Sequence, residues 1–382
     1  MTADERFMNL AIRLALKGQG KVSPNPMVGA VIVKQGKIVG RGFHHQSGRP
    51  HAEINALRQA GRHAKGATIY VTMEPCCSFG KTPPCADAII KSGIKRVVIA
   101  SRDQNPLNKG GITILKKKGL KVKTGVLRQK ARDLNESYFK FITQQSPFVV
   151  VKIAETLDGK IATASGNSKW ITSPPARRYS HRLRGQTDAI LVGINTILRD
   201  NPLLTTRYPS SATSPVKIIV DSKSKLPLNA KILSRMSPAQ TIVATTRSAD
   251  KSRIKALRDK GVHVITDLPA RRAKNFKERL SLKSLMKRLA KLNITSVLIE
   301  GGGEIIASAL EEKIVDKLLI FIAPKIIGGA EAVTSVGGRG INRINQAIGI
   351  RGLKIQKIGQ DILIEGYPVY NNPKSKINKQ VS

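Results

Sequence analysis

Hydrophobic positions along this chain fall into short solid runs separated by stretches of helical period, and the alternation persists from end to end. Residues 4–17 place Phe7, Leu10, Ala11 and Leu14 at helical spacing, and Gly18 and Gly20 stop the pattern. Residues 28–33, a Gln35-Gly36 turn and residues 37–40 predict a hairpin. Then follow a helix over 51–60, a buried strand over 67–73, a helix over 85–91, a strand over 95–100, a helix over 111–118 and a strand over 121–124. One continuous helix over 129–143 closes the series. The polar stretch 144–147 reads as a linker, and alternation resumes beyond it. Strands are predicted at 148–153, 188–192, 216–220, 241–245, 262–266, 294–299, 317–322 and 361–366, with helices at 174–184, 250–260, 280–292 and 304–312. Strand–helix alternation of this kind builds sheets covered on both faces. The chain is therefore expected to be α/β throughout, as a unit over 1–145, a second over 146–368 and a basic, unstructured tail over 369–382. No internal repeat makes the halves copies of each other.

Composition narrows the class. At 382 residues two or three domains are expected, and 41% hydrophobic residues suffice for proper cores. No apolar run reaches the roughly 18 residues of a membrane span, so no membrane partner is expected. Asp4 and Glu5 ahead of the first apolar pattern read as a capped helix, not a signal peptide. Three cysteines imply no disulfide framework, which points to a reducing cytoplasm, with Cys77 an ordinary loop or core thiol. The net charge of +41 invites a nucleic-acid reading. Yet residues 251–291, with fourteen Lys or Arg against three acids, follow a helical pattern with Leu282, Leu285, Leu289 and Leu292 on one apolar face. Aromatic residues that would stack bases are almost absent there. A solvated basic surface is expected, and a nucleic-acid partner is not.

The chemistry is concentrated in His51-Ala52-Glu53, Pro75-Cys76 and Cys85. One imidazole and two thiolates make a three-ligand zinc set with an open fourth position, as catalytic Zn2+ sites require. The carboxylate of Glu53, two residues after the histidine, is then free to move protons for a water. His51 opens a predicted helix and Cys76 follows the end of a buried strand, so the groups can converge. A structural zinc with a fourth ligand from His44, His45 or Cys77 is the alternative. The set points to hydrolytic removal of an amino group from a heterocyclic ring.

Eight residues separate Cys76 from Cys85, where nucleic-acid and nucleoside deaminases mostly have two. With Asn25-Pro26-Met27-Val28-Gly29, Gly42-Phe43-His44 and Pro50-His51-Ala52-Glu53, the first half resembles the deaminase part of the bifunctional riboflavin-biosynthesis deaminase/reductases. The resemblance implies a cytidine-deaminase-like three-layer α/β/α fold and a phosphorylated pyrimidine substrate. It places Asn25, His44, Lys81, Asp103 and Asn105 around that substrate. An ordinary turn at Asn25-Pro26 and a solvated charge at Lys81 are the plainer readings. Around residues 103–111 the sequence departs from the family's usual Asp-Pro-Asn-Pro.

The second half has no Gly-x-Gly-x-x-Gly after a strand, so a Rossmann site is not indicated. Gly301-Gly302-Gly303 follows a strand and opens a helix, an arrangement suited to a phosphate, or simply to a tight turn. Residues 152–162, 168–172, 188–196, 200–202 and 300–303 resemble, in order, the reductase part of the same family. That implies a dihydrofolate-reductase-like α/β fold and NADPH. By resemblance Ala154, Trp170, Thr196, Asp200, Ser222, Gly301, Gly302 and Gly303 contact the cofactor. Ser168, Arg184, Leu204, Arg207 and Glu300 contact substrate, the arginines suiting its phosphate. On residue type alone Trp170 fits a core and Arg184 a surface charge. Lys152 is the one candidate for a proton donor in the reduction. A homo-oligomer is expected.

Overall fold

The computed structural model describes residues 1–79, 83–108, 110–207, 214–234, 240–272 and 278–370. They form two compact units, Met1–Pro147 with Leu292–Thr295, and Phe148–Lys291 with the remainder.

The first unit runs α1 (Ala3–Ala15), β1 (Gly29–Lys34), β2 (Lys37–Phe43), α2 (Ala52–Ala60), β3 (Thr68–Met73), α3 (Cys85–Lys91), β4 (Arg96–Ser101), α4 (Gly111–Lys117), β5 (Lys121–Thr124), α5 (Arg128–Leu134) and α6 (Glu136–Gln144). The sheet order is β2-β1-β3-β4-β5, antiparallel on the hairpin side and parallel from β3 to β5. Alternate residues of each strand face opposite layers. Ile32, Ile69, Val71, Val97 and Ile99 pack on α2, α3 and α4 through Ala56, Ile89 and Leu115. Val31, Tyr70 and Val98 pack on α1 through Phe7, Met8 and Ala11. The result is the expected helix–sheet–helix sandwich.

Two glycines of β2 let α2 lie directly on the sheet. A Cβ on Gly40 would come 2.3 Å from the Ala56 carbonyl oxygen, and one on Gly42 2.1 Å from that of Ala52. Bare glycine is the only residue compatible with that contact. It fixes the start of α2, where His51 is the N-cap.

The single helix expected over 129–143 is instead two. Asn135 breaks it because its side chain is spent elsewhere: Oδ1 accepts from the Met27 N–H at 2.8 Å and Nδ2 donates to the Met27 carbonyl at 3.0 Å. That exchange pins the segment before β1.

The second unit runs β6 (Phe148–Thr156), β7 (Lys160–Ala162), α7 (Pro174–Arg184), β8 (Ala189–Gly193), α8 (Ile194–Asp200), β9 (Val216–Val220), α9 (Lys231–Ser234), β10 (Thr241–Thr246), α10 (Lys251–Asp259), β11 (His263–Leu268), β12 (Ala270–Arg272), β13 (Glu278–Leu280), α11 (Leu282–Lys291), β14 (Ser296–Glu300), α12 (Gly303–Glu311), β15 (Lys317–Ala323), β16 (Val333–Thr334), β17 (Gly349–Ile358) and β18 (Asp361–Val369). Its main sheet has the order β11-β10-β9-β8-β14-β6-β15-β18-β17, parallel up to β15 and antiparallel over the last two strands. The solid Val/Ile/Leu runs of β8 and β14 reflect burial on both faces. On α11 the expected stripe holds at Leu282, Leu285 and Leu289. Leu292 leaves it, being 45% exposed just past the helix end.

The first turn of α1 is tied to three strands. Asp4 accepts two bonds from Arg96 (2.9 and 2.8 Å), one from Lys123 (2.8 Å) and one from the Tyr70 hydroxyl (3.0 Å). Arg96 above all holds the Asp4 carboxyl far below the usual carboxylate range. A lowered carboxylate pKa stabilises the folded state above the unfolded value of about 4 and stops doing so as pH falls through the folded value. Asp4→Asn is therefore expected to cost about 1 kcal/mol near neutral pH, because Arg96 and Lys123 are partly solvated. The difference from wild type in urea denaturation should shrink steadily below pH 4.

Candidate functional site

In the first unit the metal-ligating set assembles at the ends of three elements. His51 caps α2, Cys76 lies in the loop after β3, and Cys85 is the first residue of α3. The Nδ1 atom of His51 is 3.6 Å from Cys76 Sγ and 3.3 Å from Cys85 Sγ, and the three donor atoms lie within 4.8 Å of one another. The Cys85 N–H, at a helix start, donates to Cys76 Sγ at 3.3 Å. Hydrogen bonding from the Cys85 thiol foremost pulls the Cys76 thiol down to about 4, and the same bond to Cys76 pushes the Cys85 thiol up. One ionisation is thus shared by two thiols. A divalent ion among them would hold both as thiolates, which is the donor chemistry zinc requires.

The fourth-ligand alternative fails on geometry. Among the described residues the group contains three donors. Cys77 Sγ donates to the Asn108 carbonyl at 3.5 Å. His44 is engaged by Asn25 (Nδ2 to Nε2, 3.3 Å) and by the Pro50 carbonyl at its Nδ1 (3.3 Å), and burial lowers its pKa. A neutral ring with the proton on Nδ1 satisfies both bonds. Glu53, in the first turn of α2, is 3% exposed, and burial pushes its carboxyl up to about 7. A cavity of about 350 Å³ opens onto this cluster, lined by Asn25, His44, Glu53, Asp103 and Asn105 among others. Lys81 falls outside the described residues.

Asp103 is 5% exposed and fully committed: it accepts from the Tyr138 hydroxyl (2.9 Å), the Asn105 N–H (2.9 Å) and Asn108 Nδ2 (3.1 Å). Glu74, also buried, accepts from the Ile112 N–H (3.0 Å) and the Asp103 N–H (3.4 Å). Sequence reasoning missed Glu74, Asn108 and Tyr138. The first follows a strand without a motif of its own, and the last reads as one more apolar residue of an amphipathic helix.

In the second unit the residues expected at the cofactor gather at the carboxyl ends of adjacent parallel strands, where ligands of α/β sheets bind. Thr196 follows β8, Ser222 follows β9, and Gly301–Gly303 follow β14. Gly301 and Gly302 have φ of +89° and +79°, and a Cβ on either would meet Thr196 Oγ1 at 3.5–3.6 Å. The loop is thus bare main chain running into α12, a cradle that fits a phosphate. Asp200 is exposed one turn beyond Thr196 on the same face of α8. Ala154 lies on β6.

Trp170 is 63% exposed, contrary to a core placement. It is nevertheless held: Arg177 stacks 4.4 Å over its ring and donates to the Thr172 carbonyl (2.7 Å), and Lys325 donates to the Trp170 carbonyl (2.7 Å). Leu204 is 5% exposed and packs with Ile190, Val192 and Ile219 in the core. Ser168 is half-buried in the loop before α7, and Arg207 is exposed.

Arg184 is no surface charge. Its guanidinium forks onto Glu300 (Nε to Oε1 3.0 Å, Nη2 to Oε2 2.8 Å) and reaches the Thr205 carbonyl at 3.2 Å. Lys152 sits opposite Glu300 in register across β6 and β14. Burial works to raise Glu300, but Arg184 and Lys152 overcome it and bring the carboxyl down to about 2. Burial lowers the Lys152 pKa in turn, against the attraction of Glu300.

Residues 147–364 match the RibD C-terminal domain, and residues 1–101 match the cytidine and deoxycytidylate deaminase zinc-binding region. Riboflavin biosynthesis protein RibD of Aquifex aeolicus is 46% identical over 362 residues, covering 94% of this chain and 97% of the relative. The chain belongs to the RibD family. The Escherichia coli RibD is 36% identical, covering 94% of this chain and 98% of its own length. Acinetobacter baumannii RibD superposes with a TM-score of 0.86 at 36% identity, covering 96% of this chain and 99% of that one. A Thermotoga maritima diaminohydroxyphosphoribosylaminopyrimidine deaminase/5-amino-6-(5-phosphoribosylamino)uracil reductase gives 0.81 at 36% identity, with the same coverage. The chain is thus a deaminase and a reductase of riboflavin biosynthesis. Its first unit has the zinc-binding deaminase fold and its second the dihydrofolate-reductase-like fold of RibD.

In this RibD family member the Arg184–Glu300 pair makes a direct prediction. Arg184→Ala leaves a buried carboxylate with Lys152 as its remaining cation, and should cost about 3 kcal/mol. Arg184→Lys should recover only part of that, because an ammonium lacks the two-pronged fork. Thermal unfolding of the three proteins checks the order.

Proposed function

We propose that residues 1–145 hydrolyse the 2-amino group of 2,5-diamino-6-(5-phosphoribosylamino)pyrimidin-4(3H)-one to ammonia, and that residues 146–368 reduce the ribosyl group of the product to a ribityl chain with NADPH. The observation that carries the first half is Glu53: a buried carboxylate beside a three-donor cluster, lining the cavity that opens onto that cluster. His51, Cys76 and Cys85 are its zinc ligands in this reading. Zinc, when bound, supplies a Lewis acid that makes water acidic near neutral pH. Glu53 carries one proton of the attacking water to the ring nitrogen and then the second, from the new hydroxyl, to the amino group, which leaves as ammonia. Asn25, held by neutral His44, presents its amide to the ring, and Asp103 fixes the loop that carries Asn105.

In the second unit NADPH, when bound, supplies a hydride. Thr196, Asp200, Ser222 and Gly301–Gly303 bind its phosphates and ribose, while Ala154 and the clamped Trp170 border its ring. The substrate contacts are Ser168, Glu300, Arg207 and the segment around Leu204, with Arg184 acting through Glu300 in addition to any contact of its own. Lys152, whose ammonium burial makes easier to deprotonate, gives the proton to the ring-opened sugar oxygen. No helix among the described residues is long and apolar enough to cross a membrane. Thiol ligands that must stay reduced fit a cytoplasmic site of action.

Incubating the zinc-loaded chain with the diaminopyrimidine ribotide, with and without NADPH, separates the two steps. Ammonia release followed by NADPH oxidation is expected; ammonia without NADPH consumption removes the reductase assignment. Glu53→Gln should lower ammonia release by a factor of about 10³ or more while one zinc per chain remains bound. Loss of the zinc would instead make Glu53 a ligand or a prop.

We also infer a homo-oligomer through the free edge of β17. This ten-residue strand exposes Leu353 (59%) and Ile355 (69%), and Ile362 beside it on β18 is 42% exposed. A long apolar edge of this kind is normally covered. Ile355→Lys should shift the sedimentation coefficient toward that of a monomer without unfolding the chain.

A further inference from the structure

Two loops form the mouth of the deaminase cavity, one after β3 carrying Cys76 and Ser78, the other after β4 carrying Asp103 and Asn105. Glu74 joins them at the base through the Asp103 N–H. Their apolar side chains do not, since Phe79 is 81% and Leu107 76% exposed. Toward the mouth Asn108 bonds within its own loop, to Asp103 and Asn105, and across to the other loop, at Ser78 and Cys77. Its Nδ2 donates to Asp103 Oδ2 (3.1 Å), and its Oδ1 accepts from the Ser78 hydroxyl (3.1 Å). Its carbonyl accepts from the Cys77 thiol (3.5 Å), and its N–H donates to the Asn105 carbonyl (3.0 Å). The amide is assigned with its NH2 group toward the accepting Asp103 oxygen and its carbonyl toward the Ser78 hydroxyl.

We propose that Asn108 is a positioning residue of the deaminase, setting the substrate loop at Asp103–Asn105 against the loop that carries the metal ligand Cys76. The proposal rests on the deaminase reading above. Asn108 lines the cavity, but both ends of its amide are committed to protein, so it acts through Asp103 and Ser78. The bond to Asp103 is charge-assisted and the one to Ser78 neutral. Losing them loosens the loop that meets the substrate while leaving His51, Cys76, Cys85 and Glu53 in place. Substrate affinity should therefore suffer more than the chemical step.

The test uses the full zinc-loaded chain and its Asn108→Ala, Ser78→Ala and doubly substituted forms. Ammonia release against ribotide concentration should show KM raised about tenfold by Asn108→Ala, with kcat lowered less than threefold, one zinc retained and reductase kinetics unaltered. The double variant should be no worse than Asn108→Ala, because Ser78 acts through the same amide. Backbone hydrogen exchange at Asn105 and Leu107 should quicken in Ser78→Ala, although Ser78 lies in the other loop. An unchanged KM, joint loss of zinc and kcat, additive effects, or exchange in Ser78→Ala equal to wild type would each overturn the proposal. A wild-type chain that released no ammonia would count against the deaminase reading instead, and the exchange measurement would still decide the coupling of the loops.

Discussion

Helix α2 lies so close to β2 that a methyl group on Gly42 would sit 2.1 Å from the Ala52 carbonyl oxygen. The deaminase site depends on that contact. It fixes where the helix begins, and with it the position of His51 at the cap and Glu53 in the first turn. The cysteines come from the other direction, from the end of β3 and the start of α3. A shift of α2 by one side-chain layer would separate imidazole from thiolates, since the donor atoms span only 4.8 Å. A close-packed interior has no slack to absorb such a shift. The two glycines of β2 are therefore part of the catalytic geometry, although neither touches a ligand.

Both units solve the placement problem alike, by putting chemistry where parallel strands end and helices begin. In the first, loops after β3 and β4 meet the start of α2; in the second, loops after β8, β9 and β14 meet the starts of α8 and α12. The electrostatics differ. The deaminase cluster gathers groups that are easily ionised or easily neutralised, with Cys76 pulled down and Glu53 pushed up. The second unit holds a locked charge, Glu300, gripped by a two-pronged arginine and faced by a lysine in register. Proton transfer needs the first kind of environment. Hydride transfer needs orientation and a fixed field, which the second provides.

That His51, Cys76, Cys85 and Glu53 would come together was legible in the sequence because ligand chemistry restricts residue type and spacing in a way that survives without a fold. Most strands and helices were legible for a similar reason, periodicity being a local property. What escaped was decided at a distance. Arg184 and Glu300 are 116 residues apart, and nothing local marks them as partners. The break at Asn135 follows from a bond to Met27, 108 residues away, which no helical pattern contains. The burial of Leu204 was not legible either: its side chain belongs to the core cluster of Ile190, Val192 and Ile219. Strand β17 went unread because most of its positions are exposed on both faces, so it lacks the alternation that marks a half-buried strand.

The charge balance also looks different from inside the fold. The chain has 25 acids against 66 lysines and arginines, yet among the described residues six acids are buried and one lysine. The buried acids have work that a neutral residue would not do. Glu53 lines the deaminase cavity, Glu74 and Asp103 brace its loops, and Glu300 locks Arg184 in the second unit. Asp361 holds the start of α7 through the Ser173 N–H and hydroxyl, and Asp221 caps a turn at Leu226. Drawing acids inward leaves the surface more basic than the net charge states. Such a surface raises the local concentration of anions. A pathway whose intermediate keeps its phosphate from the first active site to the second is the kind of chemistry that such a field assists, with no nucleic acid required to explain it.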